Sequence, residues 1–402
     1  MARKLQADKW LFAATAGLAL FGVVMVYSAS AVIALQENNN QFHYVIKQGL
    51  WTGIGFAAML LATAFDYQRL RNRRIAYGLL ALTILLLVAV FAFPRVNGAQ
   101  RWIKFAGLSL QPSEAAKLSL VIFLACFLER RAGEEASLWR TFVPCLLVTG
   151  LLAGLILKEP DLGTALMLVV VCFIMCYAAG VSSRHLISVA LAAALGFACL
   201  LLFTPFRWRR VITFLDPWAD QQGAGYQVVQ SLIAVGSGGP HGLGFAQGKQ
   251  KMFFLPFAHS DFIFAVIGEE LGLVGALIVL LVFGVFLWRG MRAALRAPDR
   301  FGMLLGLGIV SWIIAQALFN ISVVLSLLPT KGIPLPFISY GGSSLVPTLA
   351  AAGILLNISQ YAGLPGESAI LWEEGAGEWH RSGRERRSLP APAGARVSAR
   401  FG

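Results

Sequence analysis

Apolar residues along this chain neither alternate nor recur at the three-to-four spacing of a surface helix. They come in unbroken blocks parted by short polar stretches rich in Gly, Pro and Arg. Ten blocks stand out: Leu11–Leu35, Val45–Phe65, Ile75–Phe93, Ala115–Leu128, Leu138–Leu157, Gly163–Ala179, Leu186–Phe203, Phe262–Trp288, Phe301–Leu327 and Ser343–Ile358. A helix needs about 20 apolar residues to cross a bilayer, and most blocks reach or approach that length. The pattern predicts an all-α polytopic membrane protein with ten transmembrane helices. The fourth and sixth blocks are short, and a boundary shift at either changes the count by one.

Composition agrees, because 57% of the 402 residues are apolar and 13% are charged, too little polar surface for a water-soluble globule. A net charge of +13 would suggest nucleic acid as a partner in a soluble chain. In a membrane chain it first sets topology. With the N-terminus inside, 15 basic residues fall on the cytoplasmic side, among them Arg69, Arg71, Arg73, Arg74, Arg130, Arg131, Arg289 and Arg292. The opposite short loops hold seven: Lys47, Arg95, Arg101, Lys104, Lys117, Lys158 and Lys331. Both termini are therefore placed in the cytoplasm, with no nucleic-acid partner. Residues 1–10 form a cytoplasmic start, 11–360 the membrane domain, and 361–402 a Gly-, Ala-, Pro- and Arg-rich tail that reads as disordered. Arg3, Lys4 and Lys9 precede an apolar run too long for a signal-peptide core, so the first block is read as an uncleaved span. The five cysteines, an odd number, lie in apolar stretches without CxxC spacing, which argues against a disulfide framework or a zinc site.

One loop is much longer than the rest, residues 206–260 between the seventh and eighth blocks, and loops of that length usually carry function. Its Tyr226–Val235 segment places Val228, Val229, Leu232 and Ile233 at helical spacing and predicts a helix on or dipping into the membrane. Gly236 to Gly244 follows, read either as a hinge and close backbone approach or as a plain connector.

Charges and turn residues crowd the outer ends of the blocks. Asp261 sits where the long loop meets the eighth block, and its apolar neighbours would raise its pKa toward that of a general base. The competing reading is a helix N-cap. Glu269 and Glu270 lie about 12–13.5 Å deeper on a continuous helix, too far for a carboxylate pair with Asp261, and are read as bonding across helices. Arg101, Lys104, Lys117, Lys158, Arg207, Arg210 and Lys331 gather cations on the outer face, which suits a pyrophosphate on a lipid; singly, each reads as a snorkelling side chain. His43, His241 and His259 show no HxxH spacing and no P-loop is present, so neither a zinc hydrolase nor an ATP-driven pump is indicated.

Taken in order, seven segments resemble the SEDS family of peptidoglycan glycosyltransferases: Asn97-Gly-Ala-Gln-Arg-Trp-Ile, Gln111-Pro-Ser-Glu114, Lys158-Glu-Pro-Asp-Leu-Gly-Thr164, Gly225 to Ser231, Ala258-His-Ser-Asp-Phe-Ile-Phe-Ala265, Gly268-Glu-Glu-Leu-Gly272 and Leu335 to Ser344. Pro329-Thr-Lys-Gly332 resembles the division branch of that family more than its elongation branch. The resemblance implies a ten-span SEDS fold with Asp261 as the catalytic residue. It connects Arg101, Glu114, Asp161 and Lys331 with substrate or metal contacts. It further implies lipid II and an undecaprenyl-linked glycan strand as substrates, and a class B penicillin-binding protein transpeptidase and other divisome proteins as partners. The expected setting is the bacterial inner membrane at the septum, with the active site facing outward. No cofactor motif is present; a divalent cation, Mg or Mn, is the one inorganic group that a leaving pyrophosphate would call for. A lipid II flippase and a non-catalytic scaffold are the rival readings.

Overall fold

The computed structural model describes residues 6–94, 99–105, 108–134, 137–202, 213–223 and 225–361. Arg207 and Arg210 lie outside the described residues, as does all of the tail assigned to 361–402 except Tyr361, which is buried. Eleven α-helices of eight or more residues are present among the described residues: α1 Lys9–Asn38, α2 His43–Ala64, α3 Arg73–Ala89, α4 Pro112–Arg130, α5 Val143–Lys158, α6 Leu162–Ala178, α7 Ser183–Leu202, α8 Tyr226–Gly238, α9 Ile263–Leu295, α10 Arg300–Val324 and α11 Gly342–Ser359. Each of the ten apolar blocks has most of its described residues on one of these helices, and the extra one, α8, occupies the predicted helix within the long loop.

Among the described residues, seven helical stretches are long and apolar enough to cross a membrane; the apolar parts of α6 and α7 are shorter, and α4 carries Glu114, Lys117, Glu129 and Arg130. The chain is thus a multi-pass helical membrane protein. Large apolar side chains stand exposed around the bundle, Leu61 at 71%, Leu147 at 68% and Leu281 at 66%, an outer surface that only lipid can cover. The bundle is layered about α10, whose span is 72% buried against 22% for α2. Around it stand α4, α6, α9 and α11, and α1, α2, α3 and α5 pack outside them.

Helix starts follow the sequence rules. Asp8 accepts from the backbone of Trp10 and Leu11 at 3.0 Å, Asn72 from Arg74 at 2.9 Å, Asp161 from Thr164 at 3.1 Å and Asp299 from Gly302 at 2.7 Å. Two features depart from the all-helix prediction. Ile103–Phe105 and Leu108–Leu110 pair as an antiparallel hairpin, Ile103 opposite Leu110, tied to α11 by the Ser343 hydroxyl on the Ser109 carbonyl.

The second departure is a break in α9. Gly272 adopts φ 66°, ψ −164°, which only glycine adopts freely, and the ladder of helical hydrogen bonds is interrupted there. The glycine-rich stretch fills the break. Backbone amides of Leu243 and Gly244 donate to the carbonyls of Glu269 and Glu270 at 3.0 Å, and those of Leu273 and Val274 to Gly239 and Pro240 at 2.9 and 3.2 Å. Close approach is therefore its role, rather than that of a loose connector. Glu269 and Glu270 serve the same join: Glu269 accepts from the amides of Lys249 and Gln250, and Glu270 from Ala246 at 3.0 Å. Glu270 also pairs with the buried Lys251 at 2.6 Å and with Ser28 of α1 at 2.7 Å. Of the two, Glu270 does bond across helices as predicted, but both carboxylates chiefly hold the loop onto the broken helix.

Candidate active site

Two loops, 255–262 and 329–341, meet at the end of α10. The amide of Tyr340 donates to the His259 carbonyl at 3.0 Å, and the Ser339 hydroxyl donates to the Ser260 carbonyl at 2.6 Å while accepting from Leu335 at 2.8 Å. A stripe of polar side chains on α10, spaced four apart, holds them from beneath. Asn320 donates from Nδ2 to the carbonyls of both Asp261 and Ile333 at 2.7 Å, and Gln316 from Nε2 to Pro334 at 2.9 Å. Gln316 Oε1 in turn accepts from Lys117 Nζ at 2.7 Å and from the Trp312 indole at 3.0 Å, and Lys117 is bonded to Glu114 at 2.8 Å. A buried polar chain therefore runs from α4 through α10 to the backbone of Asp261. In this network Glu114 and Lys117, each about 3% exposed at the side chain, contact one another.

Asp261 is not a cap. The N-cap of α9 is Phe262, which makes no side-chain hydrogen bond to the helix, so the Asp261 carboxylate is left for other work. Gly332 lies against it: a Cβ at 332 would fall 2.8 Å from Oδ2. Burial pushes the Asp261 carboxyl up to about 6; the charge of Asp161 adds to this, while Arg101 and a hydrogen bond from Ser260 oppose it. Asp161 and Arg101 are thus close enough to Asp261 for their charges to be felt. Both are held firmly. Asp161 is bound to Thr164 through both oxygens, at 3.1 Å to the amide and 2.9 Å to the hydroxyl. Arg101 donates to the carbonyls of Glu159 at 2.8 Å and Pro160 at 2.5 Å.

Of the other cations, Lys158 is exposed at the end of α5, Lys331 is half-buried beside Gly332, and Lys104 lies on the hairpin strand. The structure gathers Arg101, Asp161, Asp261 and Lys331 into one region. Glu159, passed over in the sequence, joins them. It is fully buried with neither oxygen hydrogen-bonded, and burial, reinforced by Asp161 and opposed by Arg101, lifts its carboxyl to about 8. His259 is a second omission. It packs on Tyr44 and Tyr340 at ring distances of 5.0 and 5.5 Å, and burial lowers its pKa to about 4, so it is neutral. The signal for Gln316 and Asn320 was present, since two amides four apart inside an apolar span are costly without a task.

Among the described residues, no group of three or more His, Cys, Asp or Glu is placed to hold a metal ion, and both Asp161 oxygens are engaged by Thr164. These residues do not form a ready seat for a divalent cation.

What fold and site define together is a multi-pass helical membrane protein with carboxylates and cations gathered at one end of its bundle. Residues 9–363 match the cell cycle protein family of FtsW, RodA and SpoVE, and the chain belongs to that family. It is 43% identical to the probable peptidoglycan glycosyltransferase FtsW of Geobacter metallireducens, over 85% of this chain and 92% of that protein. To the stage V sporulation protein E of Bacillus subtilis it is 42% identical, over 90% and 99%. A solved structure described as coordinating polymerization and crosslinking in a peptidoglycan synthase complex superposes with a TM-score of 0.74 at 32% identity, covering 88% of this chain and 98% of that one. The crystal structure of the rod shape determining protein RodA of Thermus thermophilus gives 0.65 at 29% identity, over 89% and 98%.

Proposed function

We propose that this protein is a peptidoglycan glycosyltransferase that polymerises lipid II into β-1,4 glycan strands for the division septum. The observation that carries the reading is the Asp261 carboxyl, anchored through its backbone, free of any capping duty and poised near 6. A carboxylate with that pKa is ionised at neutral pH yet basic enough to take a proton. Asp261 removes the proton from the 4-hydroxyl of the acceptor N-acetylglucosamine as this oxygen attacks the anomeric carbon of the donor N-acetylmuramic acid. Undecaprenyl pyrophosphate departs, and single displacement inverts an α-linked donor to a β link. Arg101, Lys158 and Lys331, with Arg207 and Arg210 of the long loop and Lys104, are the cations assigned to the leaving pyrophosphate. Glu114, Lys117 and Asp161 hold the loops and helix ends on which that geometry depends.

Membership of the FtsW, RodA and SpoVE family and the likeness to a peptidoglycan synthase complex support the reading. On the same basis the partner is a class B penicillin-binding protein transpeptidase within the divisome, and the site faces outward across the bacterial inner membrane.

The test is a gel assay for glycan polymer from lipid II, using purified protein with and without its transpeptidase and the Asp261→Ala and Asp261→Asn variants alongside. Polymer from the wild type and none from either folded variant is the expected result. Polymer from the variants at the wild-type rate would remove the base assignment. No polymer from any protein, with lipid II crossing liposomes, would replace the enzyme by a flippase.

A further inference from the structure

At the opposite end of the bundle from Asp261 lies a cavity of about 730 Å³ bordered by Arg71, Arg73, Arg74, Tyr77 and Arg130. Its position follows from α2, which starts beside His259 and Tyr340 through Tyr44 and runs 22 residues, about 33 Å, to the turn that precedes α3. The cavity is therefore one bilayer thickness away from the acidic site and plays no part in the chemistry proposed there.

Four guanidinium groups converge on it from two helices and the turn between α2 and α3, and among the described residues no carboxylate lines its wall. Glu129 is taken by Arg71 at 2.9 Å. Arg130 donates to the Arg71 carbonyl at 3.3 Å, and Arg73 lies over the Tyr77 ring at 5.1 Å. Among the described residues neither Arg73 nor Arg74 pairs with a carboxylate. Both also occupy the first turn of α3, where the positive end of the helix favours an anion. Four guanidinium groups lining one cavity, with Glu129 paired to Arg71 alone, favour an anionic occupant.

Beyond the arginines α3 turns apolar on its outer side. Ile75, Leu82, Leu85 and Val88 are 37%, 54%, 62% and 54% exposed, a stripe for acyl chains that begins one residue after Arg74. We propose that this cavity binds the phosphate headgroup of an anionic phospholipid, with the lipid tails lying along α3. The apolar stripe favours a lipid over free phosphate, and arginines flanking a helix end at the headgroup level suit phosphatidylglycerol or cardiolipin.

The experiment is native mass spectrometry of the full-length protein released from nanodiscs of phosphatidylcholine doped with phosphatidylglycerol. The variants are Arg73→Gln/Arg74→Gln/Arg130→Gln, the single Arg130→Gln on the other helix, and an equal charge loss elsewhere, Arg140→Gln/Arg184→Gln/Arg296→Gln. Retained phosphatidylglycerol on the wild type and the control, weakened about tenfold or more in the triple variant and by a smaller factor in Arg130→Gln, is expected. Equal retention by all proteins, or equal retention of phosphatidylcholine, would overturn the proposal. Displacement of the bound lipid by millimolar inorganic phosphate would also overturn it, by making the site one for a soluble anion. A triple variant that unfolds leaves Arg130→Gln to decide: undiminished retention there overturns the proposal.

Discussion

A methyl group at position 332 would stand 2.8 Å from Oδ2 of Asp261, so the absence of a side chain at Gly332 fixes where the carboxylate can be. The obstructed atom is the tip of a short side chain that can turn aside, while the backbone of Asp261 stays tied to Asn320. Gly332→Ala should therefore leave thermal stability nearly unchanged and lower polymer formation, by as much as about 100-fold if the displacement approaches 1 Å. Paired melting and lipid II assays check this; a matching fall in stability and activity would mean that the loop itself had collapsed.

The pH dependence of polymerisation should follow the ionisation of Asp261. With its pKa near 6, the rate falls about tenfold per unit below that pH and levels off above it. Asp161 raises this value, so Asp161→Asn, which can still cap α6, should move the acid limb to lower pH. Arg101 lowers it, so Arg101→Gln should move the limb upward. Rate–pH profiles of the three proteins, compared at saturating lipid II, read out the direction of each shift.

Burial of the Asp261 carboxyl is costly to the fold. Its carboxyl is raised from an ordinary 3.8 to about 6, so folding favours the protonated form. The penalty on the ionised form is absent below about pH 4 and complete above pH 6. Asp261→Asn should be more stable than the wild type by about 1–3 kcal/mol at neutral pH, with the gain vanishing near pH 4, while making no polymer. Thermal melts across that range test the sign.

The buried chain from Glu114 to Asp261 should behave as a unit. Lys117→Met strands the Glu114 carboxylate and should cost about 3–5 kcal/mol. Adding Glu114→Gln should recover part of that loss, a coupling that a double-mutant cycle measures. Asn320→Ala should lower both stability and polymer yield, because two loop carbonyls lose their donor.

Most of the architecture could be read from hydrophobic blocks, because in lipid the backbone must pair within its own helix and length alone nearly decides a span. The short α6 and charged α4 were harder, since their exposure to lipid depends on what packs around them. Arg101, Asp161, Asp261 and Lys331 were legible as motif residues, but spacing could not say that Lys117 reaches Gln316 on another helix. Glu159 was not legible, because only the fold shows its oxygens buried without partners. The break at Gly272 was invisible because a glycine in an apolar helix is commonplace, and nothing local reveals that Gly239 to Gly244 supplies the missing bonds.

That exchange of backbone bonds bears on how the chain is made. The segment that completes the broken helix is synthesised just before the helix itself, and Ser28, which meets Lys251 and Glu270, emerges far earlier. The first helix and the loop are thus already in existence when the interrupted one enters the bilayer, so its unpaired amides and carbonyls need never wait in hydrocarbon for a partner. Order of synthesis here doubles as order of assembly: pulse-chase protease protection should find residues 239–256 sheltered as soon as residue 295 has left the ribosome, and Lys251→Ala should delay that protection.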